Sequence, residues 1–430
     1  MHEEVGHAIE ETAPPVVPTA PLGTVDDLRA LLLAGRPLLD VRAPVEFAKG
    51  AFPGAVNLPI LSDAERHDIG VRYKQRGQDA AIALGAELLE EDERARRTAG
   101  WKAFADTHPS AAIYCFRGGL RSRLAQAWLA EAGVELPLVT GGYKAMRSCL
   151  IDELGRLCES LELQLVGGRT GVGKTLLIER LGRTVDLEGI ARHRGSSFGA
   201  LVEPQPGNID FENRVTIELM RLEREAGPVW LEDEARLIGR VAMPEALVQA
   251  MRRAPLTILE TTLAVRVQNC VADYVVDLLA RHREVHGDEA GFEAYAAHHR
   301  DSLDRVRKRL GGDNYALASR LLEDALDAHR AWGDTGAYTP FIELMLERYY
   351  DPMYDYQLES KRDRVRFTGD VEAILHRSGD RSGDGSGDGS GDGSGDGSDI
   401  GRDSRSDIVR ADGRDEVSRG ASLAEGSDGA

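Results

Sequence analysis

Ile113-Tyr114-Cys115-Phe116-Arg117-Gly118-Gly119-Leu120-Arg121-Ser122 reads as a strand that ends, a loop, and a helix that begins. Ala111 to Tyr114 is a short apolar run of the kind that finishes a buried strand. Arg123-Leu124-Ala125-Gln126-Ala127-Trp128-Leu129 then has helical periodicity, with Leu124, Ala127 and Trp128 expected on one face and Gly133 as the stop. A cysteine at such a junction is ringed by backbone N–H groups, a helix N-terminus and two guanidinium groups, all of which favour thiolate over thiol. A free cysteine is only a few per cent thiolate at pH 7, so a fall of about two pKa units makes thiolate the main form. Cys115 is therefore a candidate nucleophile, with Arg117 and Arg121 as candidate anion holders; the alternative is a small apolar core residue.

The 430 residues allow two domains and tails, and the net charge of −19 argues against a general polyanion binder while leaving room for a local basic patch. Four cysteines (Cys115, Cys149, Cys158, Cys270) show no C-x-x-C and no zinc spacing, which fits reduced thiols and a cytoplasmic location. No apolar run approaches about 18 residues and the start lacks a basic region before an apolar core, so neither a membrane span nor secretion is expected.

Residues 1–20 are polar and proline-rich and read as a loose arm. Leu28 to Leu33 is helical in pattern, Pro37 to Arg42 a strand ending in a charged turn, Ala43 to Gly50 a short helix, and Ala51 to Pro59 a turn and another strand. Strands alternating with helices predict an α/β domain with a parallel sheet. Leu39-Asp40-Val41-Arg42, Glu46-Phe47, Gly50, Pro53-Gly54-Ala55, Asn57-Leu58-Pro59 and Gly141-Gly142-Tyr143-Lys144, taken with the cysteine loop, resemble the rhodanese domain over residues 22–147. The resemblance implies a cysteine that carries a chalcogen as a persulfide. Five residues separate Cys115 from Arg121, against four in common sulfurtransferases, and Cys-x5-Arg is also the phosphate-cradling loop of cysteine phosphatases. The longer loop suggests a tetrahedral, phosphate-like ligand.

Tyr73 to Gly77 and a charged helical stretch from Ala80 to Trp101 form an insertion, read as a solvated helix face or else a partner surface. A linker helix from about Ala145 to Ser160 carries Cys149 and Cys158, expected to be core residues. Leu161 to Val166 alternates as a strand, and Gly167-Gly168-Arg169-Thr170-Gly171-Val172-Gly173-Lys174-Thr175 meets G-x-x-x-x-G-K-[ST] before an apolar helix start. Glycines there let the backbone wrap an anion: Gly168, Gly171, Gly173, Lys174 and Thr175 are phosphate-binding candidates, and Thr175 can ligate Mg²⁺.

Val229 to Glu234 reads as a strand ending in acids, with Glu232 and Asp233 as magnesium candidates and helix capping as the alternative. Pro255 to Thr262 reads as another strand, and Asp186 to Gly199 as a working loop near the phosphates. Val271 to Met345 is mostly helical and ends one stretch in Arg305-Val306-Arg307-Lys308-Arg309, either an RNA-backbone contact or an exposed helix face. Tyr349 to Leu358 clusters aromatics beside Lys361, Arg362, Arg364 and Arg366, suited either to stacking bases or to closing a core. From Ser378 the Ser-Gly-Asp-Gly repeat has almost nothing to bury and is expected to be disordered.

The order Cys-x-Arg-Gly-Gly-x-Arg-Ser, Gly-Gly-x-Thr-Gly-x-Gly-Lys-Thr, Asp-Leu-Glu-Gly-x-Ala-x-His-Arg-Gly-Ser-x-Phe-Gly, Leu-Glu-Asp-Glu and Tyr-Tyr-Asp-Pro-Met-Tyr resembles the tRNA 2-selenouridine synthase family over residues 22–375. With the patterns above it gives an arm (1–20), a rhodanese-like parallel-sheet domain (21–147), a linker helix (148–160), a P-loop α/β domain with a mostly helical C-terminal part (161–376) and a disordered acidic tail (377–430). The resemblance implies a transferase that converts wobble 2-thiouridine to 2-selenouridine through an S-geranyl intermediate. Its co-substrates would be geranyl diphosphate and selenophosphate, with no tightly bound cofactor and Mg²⁺ optional at Thr175 and Asp233. Implied partners are the anticodon loops of tRNAs for Lys, Glu and Gln, a selenophosphate-supplying enzyme being a further candidate. Three rivals stay open on the residues: an ATP-dependent tRNA sulfurtransferase, a cysteine phosphatase on a rhodanese fold, and a non-catalytic reading in which the rhodanese part is a binding module.

Overall fold

The computed structural model describes residues 21–381. The expected arm (1–20) and the expected tail from residue 382 onward lie outside the described residues. Five short strands, β1 (Thr24–Val25), β2 (Leu38–Asp40), β3 (Ala55–Asn57), β4 (Ala112–Tyr114) and β5 (Leu138–Val139), form a sheet in the order β1-β5-β4-β2-β3, parallel throughout. A second parallel sheet has the order β12-β11-β6-β8-β7, from β6 (Leu163–Gly167), β7 (Thr184–Val185), β8 (Val229–Glu232), β11 (Leu256–Leu259) and β12 (Val365–Gly369). A small hairpin, β9 (Leu237–Ile238) with β10 (Val241–Ala242), precedes β11. Strands this short and almost wholly buried need helices on both faces, as parallel sheets require. Both chemistry-bearing loops leave the middle strand of their sheet, β4 before Cys115 and β6 before the phosphate loop. That carboxyl edge is where open α/β sheets hold ligands.

The expected linker helix is longer and more central than its sequence suggests. It spans Gly142–Ser160 and buries Tyr143, Met146, Leu150, Leu154, Leu157 and Cys158 on one stripe. One apolar cluster joins that stripe to Leu38, Phe52 and Tyr114 of the first sheet region and to Leu163, Leu165 and Leu231 of the second. Residues 21–381 accordingly form one compact unit. Across the seam Asp210 accepts the Ala51 N–H at 2.6 Å, Asn213 donates to Ala51 O at 2.7 Å, and Arg147 pairs with Glu212 at 2.5 Å.

Three expectations need correction. The insertion is two helices, Asp63–Leu88 with a kink at Gly77, and Glu91–Thr107, because Leu89 leaves helical geometry. The helix after the cysteine loop, Leu120–Glu131, does carry Leu124, Ala127 and Trp128 on one half-buried face, but its fully buried residues are Ser122, Ala125, Gln126 and Leu129, which the pattern did not mark. Gln126 is tolerated inside because its amide donates to Gly23 O (3.0 Å) and Leu136 O (2.8 Å). Finally, Ser378 does not begin a structureless tail: the last described helix runs Val371–Arg381, with Ser378 Oγ donating to Leu375 O at 2.8 Å.

The region from 271 to 345 is helical as expected and has its own core, in which Tyr295, Tyr338, His282 and His299 pack edge to face. Burial pushes His282 down to about 4 and His299 down to about 3. Both are neutral in the folded protein but titrate near 6.5 once unfolded. Their contribution is complete above about pH 6.5 and is lost as pH falls through that value toward 4, on the order of 2 kcal/mol at pH 5 for the enclosed His299 and less for His282, whose charge solvent screens in part. The melting temperature should therefore drop between pH 7.5 and 5, and His282→Leu should flatten that slope. Equal slopes in variant and parent would remove the histidines as the cause.

Candidate functional site

The cysteine loop is clamped from behind. Tyr143 N–H donates to Cys115 O and Lys144 N–H to Phe116 O, each at 2.9 Å. Gly142 makes this approach feasible: its φ is +57°, and a Cβ there would sit 2.2 Å from Cys115 O. Asp40 and Arg42 are structural. They form a buried ion pair at 2.6 Å, and the guanidinium lies 4.0 Å from the centre of the Tyr143 ring.

Cys115 is 3% exposed, and Ser122 Oγ donates to its sulfur at 3.1 Å. Arg117 and Arg121 do stand after it, but they are not equivalent. Arg121 is held by Glu46 at 2.5 and 3.3 Å, and Glu46 also pairs with Arg66 at 3.2 Å. Burial opposes the Glu46 charge, yet the two arginines hold its carboxyl below the ordinary glutamate value. Glu46 belonged to the rhodanese-like pattern, but no local signal marks it as the partner of a residue 75 positions away. Arg117, Leu120, Arg121 and Leu124 line a mainly apolar cavity of about 990 Å³, closed on its other side by Ile69, Ala81 and Ile82 of the kinked helix. The insertion thus builds a cavity wall beside the cysteine loop.

The phosphate loop leaves β6 and enters the helix Lys174–Arg180. Gly171 has φ +80°, and a Cβ on it would meet Arg266 O at 2.6 Å and Cys270 Sγ at 2.7 Å. Residues missed in the sequence brace the loop. Arg266 Nε donates to Thr170 O at 2.9 Å, Asn269 Nδ2 donates to Gly171 O at 2.8 Å, and Arg266 forms two bonds to Asp351, 2.9 and 2.6 Å. Arg266 is 4% exposed, so its charge depends on that carboxylate. A lone arginine within the apolar stretch Leu263–Cys270 was the available signal.

Gly168, Gly171, Gly173, Lys174 and Thr175 all line one cavity of about 790 Å³. The expected working loop contributes Glu188, His193, Arg194 and Ser196 to its wall, although Leu187–Ala191 within that loop is a short helix with a buried apolar side. Burial opposes the Lys174 charge, but Glu188, Glu234, Glu232 and Asp233 raise its pKa above the ordinary lysine value. Burial, with Glu234 alongside, pushes Glu188 up to about 8 in spite of Lys174.

The two magnesium candidates separate from Glu232. Glu232 is fully buried and accepts the Leu187 N–H at 3.0 Å, so it serves the neighbouring helix start. Asp233 and Thr175 share the cavity wall, and Asp233 is paired with Lys361 at 2.6 Å. Among the described residues no group of three or more His, Cys, Asp or Glu is poised around a cation. The donor set fits an ion that brings its phosphate ligand with it rather than one held by protein alone. Of the aromatic cluster, Tyr349 and Tyr350 close a core, Tyr350 and Tyr354 reach the cavity wall, and Tyr356 is 84% exposed. No described helix is long and apolar enough to cross a membrane.

Comparison with known proteins agrees with this layout. The tRNA 2-selenouridine synthase AAA domain matches residues 161–382, and the rhodanese-like domain matches residues 24–149. A tRNA 2-selenouridine synthase of Marinobacter nauticus is 48% identical over 357 residues, covering 83% of this chain and 97% of that protein. That of Bordetella bronchiseptica is 49% identical, covering 81% and 95%, and that of Hahella chejuensis 48%, covering 81% and 92%. With a rhodanese-like half and a phosphate-loop half matched in order along nearly the whole length of such relatives, the chain belongs to the tRNA 2-selenouridine synthase family.

Proposed function

We propose that the protein replaces the sulfur of wobble 2-thiouridine in tRNAs for Lys, Glu and Gln with selenium, in two steps. In the first, the 2-thio sulfur attacks the C1 carbon of geranyl diphosphate and diphosphate leaves. In the second, selenium from selenophosphate replaces the S-geranyl group. The observation that carries the reading is the pairing, in one compact unit, of a phosphate loop facing a 790 Å³ cavity with a cysteine loop beside a 990 Å³ apolar cavity.

Lys174 and the loop amides suit the charge that develops on departing diphosphate. Mg²⁺ arriving with that ligand, at Thr175 and Asp233, would supply further neutralisation. In the second step Cys115 would act as the nucleophile that displaces geranyl thiolate from C2 of the base; the selenium of selenophosphate then attacks C2 and displaces Cys115, and water splits the Se–P bond to release phosphate. Arg117 and Arg121 would receive selenophosphate, Arg121 exchanging Glu46 for the incoming anion. The apolar cavity would hold the ten-carbon chain of the intermediate, each buried CH₂ contributing about 0.8 kcal/mol. A cytoplasmic setting and a selenophosphate-supplying partner follow from the same chemistry.

Mass analysis of wobble nucleosides from cells with and without the protein tests the whole reading, since selenouridine should vanish with the gene. Lys174→Ala tests the first step. Its charge-assisted contact is worth about 1.5–3 kcal/mol, so geranyl transfer should slow at least about tenfold and selenouridine should fall with it. Undiminished geranylation together with lost ATP hydrolysis would instead point to a sulfurtransferase.

A further inference from the structure

The basic run at the end of the helix Asp288–Leu310 has an arrangement the proposed chemistry does not use. Leu303, Val306 and Leu310 are buried, so the run is anchored, while Arg305, Arg307, Lys308 and Arg309 are exposed. Elsewhere arginines commonly meet carboxylates; on the same helix Arg300 pairs with Glu323 at 2.6 Å. Among the described residues none of the four cations has a carboxylate partner. Arg305 donates to Ser302 Oγ at 2.7 Å and to Ser197 O at 3.3 Å, and Arg307 lies 4.7 Å from the centre of the Tyr315 ring. Arg309 forms part of the wall of the phosphate-loop cavity.

A helix C-terminus favours cations in its last turn. That accounts for positive charge at the helix end, but not for four cations without carboxylate partners, one of which, Arg309, reaches the cavity wall. In a chain of net charge −19 a polyanion finds no general attraction, so an RNA needs a local patch such as this one. We propose that the phosphate backbone of the RNA substrate lies along Arg305, Arg307, Lys308 and Arg309, which holds its unpaired loop over the phosphate-loop cavity. This rests on the tRNA reading above.

The test is binding of tRNA with a Lys, Glu or Gln anticodon and wobble 2-thiouridine to the full-length protein at several salt concentrations. The variant carries Arg305→Gln, Arg307→Gln, Lys308→Gln and Arg309→Gln together. The slope of log affinity against log salt should shrink by about 3, and affinity at about 0.1 M salt should fall on the order of a hundredfold. Lysine at all four positions should keep the slope, since phosphate contacts need charge rather than guanidinium shape. If the glutamine variant fails to fold, chemical crosslinking of bound tRNA to the parent protein decides, and the Lys308 peptide should be labelled. An unchanged slope in a folded variant, or crosslinks that avoid Lys308, would overturn the surface while leaving the tRNA reading intact. A parent protein that binds no tRNA would overturn both.

Discussion

Cys115→Ala should abolish selenium insertion, by at least about a thousandfold, while S-geranyl-2-thiouridine continues to form and accumulates. The loop and the cavity used in the two proposed steps belong to different sheets, so removing the thiol leaves the phosphate-loop cavity unaltered. The other three cysteines are poorer thiolates. Burial and nearby acids raise the Cys149 thiol, burial pushes Cys158 up to about 11, and Cys270 goes up to about 12. Only Cys115 has a hydroxyl donor, Ser122, aimed at its sulfur and two arginines in the loop and helix start that follow. Nucleoside mass spectrometry of tRNA from cells carrying the variant reads both products at once. Ordinary amounts of selenouridine would remove Cys115 from the mechanism.

Asp351→Ala should be the most destabilising single change near the phosphate loop, on the order of 3–5 kcal/mol, because it leaves the Arg266 guanidinium buried without its carboxylate. Affinity for geranyl diphosphate should fall at least about tenfold with it, since Arg266 and Asn269 hold the carbonyls of Thr170 and Gly171. The double change Arg266→Met with Asp351→Leu should recover much of the stability, as apolar replacement of a buried pair commonly does, without restoring affinity. Urea unfolding and diphosphate binding on the three proteins separate the two effects. Recovery of both in the double variant would show that the ion pair matters only to stability.

The fold and the two loops were legible because their signals are local. Ile113 to Ser122 and Gly167 to Thr175 each contain the strand end, the turn and the helix start within ten residues or so, and both are found where periodicity put them. What stayed hidden depends on residues far apart in the chain. Glu46 holds Arg121 across 75 positions, and Asp351 holds Arg266 across 85. The aspartate was visible in Tyr-Tyr-Asp-Pro-Met-Tyr, but its purpose was not. The fully buried residues of the helix after Cys115 were hidden for the same reason. Gln126 looks like a surface residue until Gly23 and Leu136 supply its bonds. The wall made by the kinked insertion helix was also invisible, because an amphipathic pattern says that a face is covered and not by what.

The helix Gly142–Ser160 carries a consequence for how an RNA is handled. It starts against Cys115 O and ends just before β6, which feeds the phosphate loop, and its stripe is buried along its full length. Nineteen residues of α-helix make a strut of about 28 Å. A strut embedded in a shared core resists hinging, and it sets the separation of the two loops in this structure. On the proposed two-step route the travelling party is then the wobble nucleotide, not a protein domain. Each tRNA must be re-seated between alkylation and selenation, and the alkylated species has a chance to escape into solution at every cycle.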